Sequence, residues 1–260
     1  MNGKAFQNCI KKALKSNLFF LLLALLFLAG VWCVAFFAVA NEFVVPSPVE
    51  TIKELGVLFG EVGFWRSLSA TLLRAGFGFV LSFVLGLTFG LIAYLIPSFG
   101  RFLSPLMAVM RSLPILAVTL LILLFTTPKS APVVVAVFAL LPILYTSVHG
   151  ELCGVDRKLI EVCKVYNVPF WARVKKLYLP TLSIKLLREG AAALSFSLKL
   201  TVSAEVLSNT FLSIGGMMQY ASYAYLTARL FAFVIVVCVL GLIVETLGGY
   251  LAERAERRAL

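Results

Sequence analysis

Leu68-Ser-Ala-Thr-Leu-Leu-Arg74-Ala-Gly-Phe-Gly-Phe-Val-Leu-Ser-Phe-Val-Leu-Gly86-Leu-Thr-Phe-Gly90-Leu-Ile-Ala-Tyr-Leu-Ile96 carries a single charged side chain, Arg74, in a run long enough to cross a bilayer. A hydrocarbon core of about 30 Å takes roughly 20 apolar residues of α-helix, and in lipid the backbone must satisfy its own hydrogen bonds. Leu18–Ala40, Phe102–Phe125, Ala131–Val148, Leu186–Leu207 and Leu226–Tyr250 meet the same test. The expected fold class is therefore an all-α integral membrane protein of about six transmembrane helices. Composition agrees: with 61% hydrophobic and 13% charged residues over 260 positions, and a mean hydropathy of +1.01, the chain is too apolar for a soluble domain.

The Leu18–Ala40 run follows Lys4, Lys11, Lys12 and Lys15, as a secretory signal would. It is too long for one, because a signal's apolar region ends after about 7–15 residues at a small-residue cleavage site, whereas Phe36-Phe37-Ala38-Val39 continues it. A retained first helix is expected.

The formal charge of +11 invites a nucleic-acid reading, which its distribution rejects. One side of the membrane collects the four N-terminal lysines, Arg101, Arg157, Lys158, Lys164, Arg173, Lys175, Lys176, Lys185, Arg188, Arg254, Arg257 and Arg258. The other collects Lys53 and Lys129, with Arg66 and Arg229 at the borders. The positive-inside rule then places both termini in the cytoplasm. Between the first two spans, Ile52, Leu55, Leu58 and Phe59 recur at helical spacing behind Ser47-Pro48, which predicts an external amphipathic helix with Ser47 as N-cap and Pro48 in its first turn. Gly86 and Gly90 form a small-xxx-small pair suited to close helix packing. Cys9, Cys33, Cys153, Cys163 and Cys238 show neither metal nor redox spacing and read as small apolar filler. No repeat or linker divides the chain, so residues 1–260 are expected to form one membrane domain: an N-terminal helix at 18–40, a core at about 44–250 and a distinct segment at 150–182.

That segment, the longest on the cytosolic side, is rich in helix formers and aromatic residues. Asp156 is placed to cap a helix reaching Tyr166, with Leu159, Ile160, Cys163 and Tyr166 on one face. Asn167 can take the left-handed conformation that ends it, Pro169 can start a second short helix, and Pro180 precedes the fifth span. A helix–turn–helix protruding into the cytosol is expected.

The segment resembles the signature loop of ABC importer permeases: Glu-Ala-Ala, three residues, Gly, nine residues, Ile, one residue, Leu-Pro. Glu161, Val162 and Cys163 stand at the Glu-Ala-Ala positions, Asn167 at the Gly, Leu177 at the Ile, and Leu179-Pro180 at the Leu-Pro. Val45-Pro46-Ser47-Pro48, Leu73-Arg74-Ala75-Gly76-Phe77, Arg111-Ser112-Leu113-Pro114-Ile115, and Leu198-Lys199 with Ala204-Glu205 are similar to the nitrate/sulfonate/taurine-type branch, over roughly residues 44 to 250. The resemblance implies a type I importer permease of the bacterial inner membrane, acting as a homodimer. It implies two cytosolic ABC ATPase subunits and an extracytoplasmic solute-binding protein as partners, beside membrane lipid and with no nucleic acid. Glu161, Val162, Cys163, Asn167, Pro169, Leu177, Leu179 and Pro180 would form the coupling helices that dock on the ATPase and transmit its closure to the membrane. The solute would be a small anion such as a sulfonate, taurine or nitrate, delivered by the binding protein; thiamine-precursor pyrimidines are the alternative.

Charges inside a bilayer are costly unless they face a cavity or a partner. At 100° per residue, Ser197, Thr201, Glu205, Ser208 and Asn209 share a polar stripe, with Lys199 about 120° round from Glu205. Two readings are open. The stripe, with Lys199 and Arg111, lines the solute pathway, or it forms an interhelical network with Arg74 or Arg111 as partner. Arg111, near the helix-bending Pro114, also reads as a structural plug, and His149 as an interfacial residue.

An intramembrane enzyme is not expected, because the chain has no Gly-x-Ser-x-Gly, no His-Glu-x-x-His and only one histidine. Nor does it carry a Gly-x-x-x-x-Gly-Lys-Ser/Thr loop, so no cofactor is expected in it, and ATP and Mg would be bound by the partner ATPase.

Overall fold

A computed structural model describes residues 20, 23–24, 26–155, 161–163, 165–173 and 178–259, among which no strand occurs. The helices are α1 (Leu26–Val39), α2 (Pro48–Gly60), α3 (Val62–Leu95), α4 (Pro97–Ser112), α5 (Ile115–Phe125), α6 (Ala131–Cys153), the single turn α7 (Phe170–Arg173), α8 (Leu179–Ser208), α9 (Ile214–Tyr223) and α10 (Thr227–Ala259). Helices α3 and α6, the Leu186–Ser208 part of α8 and the Thr227–Arg254 part of α10 are long and apolar enough to cross a membrane. Of the expected first span, α1 is seen as a shorter apolar helix, and most of residues 18–25 lie outside the described residues.

The expected span over Phe102–Phe125 is built of two helices, α4 and α5, bent by 100° at a short break, as a broken span or a re-entrant pair. The break falls at Leu113 (φ −74°, ψ 134°) and Pro114 (φ −62°, ψ 119°), both extended. Pro114 has no N–H to continue the α4 ladder, and its ring drives the preceding residue out of the helical region. Leu113 yields completely, so the outcome is a corner rather than a kink.

The chain divides into two compact units. In the larger, comprising Phe59–Tyr220 and Phe233–Leu260, α3 lies closely on α6. The contact follows one face of α3: Gly78, Ser82, Gly86 and Gly90 recur every four residues and are all buried. A Cβ on Gly78 would meet that of Ala136 at 2.9 Å, and one on Gly86 that of Leu144 at 2.7 Å. The two backbones approach as far as the missing side chains allow, which is where dispersion replaces the hydrophobic effect as the force between helices in lipid. On its other side α6 meets α8, where Ala139, Leu140 and Leu144 pack with Ala193 and Leu200.

In the smaller unit, comprising Met1–Leu58 and Ala221–Ala232, Ser47 Oγ accepts the Glu50 N–H at 3.1 Å, the expected cap of α2. Trp32 Nε1 donates to the Pro46 carbonyl at 3.1 Å, its ring lies 5.5 Å from that of Phe231, and Thr227 Oγ1 donates to the Glu42 carbonyl at 2.8 Å.

Candidate functional site

Two regions carry polar chemistry: the segment between α6 and α8, and the polar residues of α8 itself. In the first, Glu161, Val162 and Cys163 are helical, and the helix ends at Asn167, whose φ is +48°. The Val168 N–H bonds to the Cys163 carbonyl at 2.9 Å, the six-to-one bond of a Schellman ending with Asn167 in the left-handed position. Beyond it, the Pro169 carbonyl accepts the Ala172 and Arg173 N–H groups at 3.0 and 3.1 Å, which makes Pro169 the start of α7. Glu161 and Val162 are exposed, as are Val165, Tyr166 and Asn167, so the turn offers its surface outward. Asp156, Lys164 and Leu177 lie outside the described residues; the backbone of Leu179 and Pro180 opens α8.

Tyr178, just ahead of α8, is buried with Val148, Leu152 and Val155, against Leu87, Leu91 and Tyr94 of α3. Its hydroxyl is 3.2 Å from that of Tyr94, with ring centroids 5.5 Å apart. Tyr178 thus joins the start of α8 to α3 and α6. The sequence reading passed over it between Leu177 and Leu179-Pro180; an aromatic residue beside a helix start that is otherwise basic was the available signal.

In α8 the stripe divides. Glu205 is 0% exposed and pairs with Arg74, itself 14% exposed, at 2.7 Å. Thr71 Oγ1 donates to the same carboxylate at 2.9 Å and accepts the Ile214 N–H at 3.0 Å, while the Gly215 N–H donates to Glu205 Oε2 at 3.2 Å. The carboxylate therefore sits at the N-terminus of α9, where unsatisfied N–H groups and the helix dipole favour an anion. Gly215 makes this approach possible, since a Cβ there would come within 2.6 Å of the Val202 carbonyl. Arg74 also donates to the Leu212 carbonyl at 3.3 Å, and Leu212 has a φ of +51°. One buried ion pair thus knots α3, the end of α8, the Asn209–Ser213 turn and the start of α9.

Ser197 is likewise buried against α3, its Oγ donating to the Ala75 carbonyl at 2.8 Å. Thr201 is buried, with no hydrogen-bond partner for its hydroxyl among the described residues. Asn209, at φ +48°, ends α8: its N–H bonds to the Val206 carbonyl and that of Thr210 to the Glu205 carbonyl, the two bonds of a Schellman ending. Arg111 is exposed in the last turn of α4 beside the Leu113-Pro114 corner, where a cation complements the helix dipole. The structure thus gathers Ser197, Thr201 and Glu205 along the α3 side of α8, with Arg74 as the network's cation, and leaves Lys199 exposed on another face. Beside that face an open cavity of about 510 Å³ lies between α6 and α8, its polar lining being Thr146, Ser147 and Glu189.

A set of helices long and apolar enough to cross a bilayer, with a buried ion pair among them, describes a polytopic membrane protein. Residues 82–257 match the family described as binding-protein-dependent transport system inner membrane component, and the chain belongs to that family, the permease subunits of ABC importers. It is 30% identical over 213 residues, 80% of this chain and 75% of the relative, to the putative aliphatic sulfonates transport permease protein SsuC of Bacillus subtilis (strain 168). It is 27% identical over 128 residues, 48% of this chain and 19% of the relative, to the trimethylamine N-oxide transport system permease protein TmoV of Ruegeria pomeroyi. Its fold is similar to the inward-facing MetNI methionine ABC transporter, with a TM-score of 0.62 at 18% identity over 74% of this chain and 94% of that one. An amino acid ABC transporter matches with a TM-score of 0.62 at 16% identity, over 82% of this chain and 98% of that one.

The chain is thus a transport subunit of the inner membrane and not an enzyme, and its family works with an ATPase and a binding protein.

Proposed function

We propose that this chain pairs with a second copy to form the alternating-access pathway for a small anion of the sulfonate, taurine or nitrate kind, and that residues 161–180 are where two ABC ATPases grip it. The observation that carries the reading is the Asn167 turn. A left-handed residue, a Schellman bond and a proline-started second helix stand at the spacing of the importer loop, with Glu161, Val165 and Tyr166 facing outward. Tyr178, ahead of α8, packs on α3 and α6, a contact through which work done on the segment would reach the membrane helices. The anionic solute follows the aliphatic-sulfonate relative, the match that spans most of both chains. The binding protein delivers the solute, and ATP and Mg belong to the ATPase.

The test is a complex reconstituted in liposomes with its own ATPase and binding protein, scored for ATP-dependent uptake of taurine, nitrate and trimethylamine N-oxide. Asn167→Gly should keep wild-type uptake, whereas Asn167→Val, which places a β-branched residue at a left-handed position at a cost of about 1–2 kcal/mol, should lower uptake and ATPase retention together. Equal performance of the two variants would remove the turn from the coupling path, and uptake of trimethylamine N-oxide alone would remove the anion.

A further inference from the structure

The network at Glu205 leaves Lys199 unaccounted for. Lys199 lies near the middle of the Leu186–Ser208 span, nine residues from one end and thirteen from the other, about 14 and 20 Å of helix at 1.5 Å per residue. That is further than a lysine stem can carry its ammonium to either interface. The side chain is exposed, and among the described residues no carboxylate lies within ion-pair distance of it. Of the acidic groups on α8 itself, Glu205 is held by Arg74, and Glu189 lies ten residues back, about 15 Å along the helix. Glu245, one turn beyond Gly241 in α10, makes no ion pair with Lys199.

The position is also shaped for a lysine. A Cβ on Gly241 would come within 3.2 Å of Lys199 Cε, so the glycine leaves a notch on α10 along which the stem lies. Ala192, Phe196, Lys199, Ser203 and Leu207 form the continuous exposed face of α8, and Ala192 and Phe196 line the cavity against Thr146 and Ser147 of α6. Ser147 Oγ is buried there with no hydrogen-bond partner among the described residues. A charge facing lipid at this depth costs about 2.5–3.5 kcal/mol, so an unpaired one marks a polar passage.

We propose that this face of α8 borders the solute pathway and that Lys199 is its specificity-determining residue, supplying the counter-charge for the anionic group of the solute. This rests on the permease reading above, and it moves the pathway from the Glu205 side of α8 to the Lys199 side. In the vacant state the ammonium is hydrated within the passage. An anion arriving there exchanges that hydration for a charge-assisted hydrogen bond, whereas a cation of the same size meets repulsion.

The experiment uses the complex in membranes, with the native cysteines replaced and Ser203→Cys as reporter, one turn along from Lys199. Its modification rates with an anionic sulfonatoethyl and a cationic trimethylammonioethyl methanethiosulfonate are each divided by the rate of that reagent with a free thiol. With Lys199 present, the corrected rate should favour the anionic reagent by about tenfold, the effect of a unit charge within several ångströms in a partly aqueous site. The preference should vanish in Lys199→Met and persist in Lys199→Arg, with complex yield followed in each to show that assembly is intact. Rapid modification without charge preference would overturn the anion assignment, as would a Lys199 neutralised by a carboxylate of a second copy, while leaving the pathway in place. No modification by either reagent, with labelling by a lipid-soluble maleimide only, would overturn the assignment and the pathway at this face together.

Discussion

Glu205 and Lys199 stand on one helix, both ionic, and the surroundings assign them opposite work. Both carboxylate oxygens of Glu205 accept hydrogen bonds, Oε1 from Arg74 and Oε2 from Thr71 and the Gly215 N–H. Arg74 reaches past it to the Leu212 carbonyl, so the pair fixes a turn as well as two helices. Removing one partner of a buried ion pair strands the other, which typically costs about 3–5 kcal/mol, while replacing both by neutral groups costs much less. Arg74→Met should therefore lower the thermal midpoint and yield of the purified permease sharply, and Arg74→Met with Glu205→Gln should recover most of the loss. Midpoints in detergent measure this; additive losses in the double variant would show that the two residues act independently. The sequence placed Glu205 on a polar stripe and named Arg74 as a possible partner, but a stripe has no depth, and only the fold shows that this one faces α3.

Among elements, α3 and α6 define the scaffold, and their contact rests on glycines. Gly86 and Gly90 were legible as a packing pair from their spacing; Gly78 and Ser82 extend the same row and were hidden by the neighbouring Gly76, which breaks the register. Gly76 faces open space, with nothing within 4 Å of a Cβ placed there, whereas a Cβ on Gly86 would lie 3.2 Å from the Leu144 carbonyl carbon and the Tyr145 nitrogen. Gly86→Ala should force the backbones apart and destabilise by about 1–3 kcal/mol, as overpacking does. Gly76→Ala should be neutral or stabilising by up to about 1 kcal/mol through helix propensity. The comparison of thermal midpoints is internally controlled, since the chemical change is the same at both positions. The Leu113-Pro114 corner was legible only as a bend. Arg111 interrupts the apolar run of Phe102–Phe125 beside Pro114, but a proline in a membrane helix is read as a kink because lipid disfavours open backbone. At the corner the Val109 carbonyl accepts the Ser112 hydroxyl at 2.8 Å, and the Pro114 carbonyl at once accepts the Val118 N–H at 3.1 Å to start α5.

For the whole molecule, the distribution of lysines and arginines sets the expected orientation. The Asn167 turn and Arg173 belong to the side that collects most of the lysines and arginines, while the Asn209–Ser213 turn follows α8 after a single crossing and must lie opposite. On the positive-inside rule the first is expected in the cytoplasm, the side of an ABC ATPase, and the second outside, the side of a solute-binding protein. Two positions make the test clean because their side chains are open: Phe211 is 92% exposed and Tyr166 is 77% exposed. Ser213, in the same turn as Phe211, would be a poor reporter because it is buried, donating to the Thr210 carbonyl at 2.7 Å and accepting the Gly216 N–H at 2.8 Å. In a cysteine-free background, Phe211→Cys should react with a membrane-impermeant maleimide on intact spheroplasts, and Tyr166→Cys only after lysis. The reverse pattern would invert the topology. It would also take the 161–180 segment out of reach of a cytosolic ATPase, because a docking turn on the outer face cannot receive work from ATP hydrolysed within.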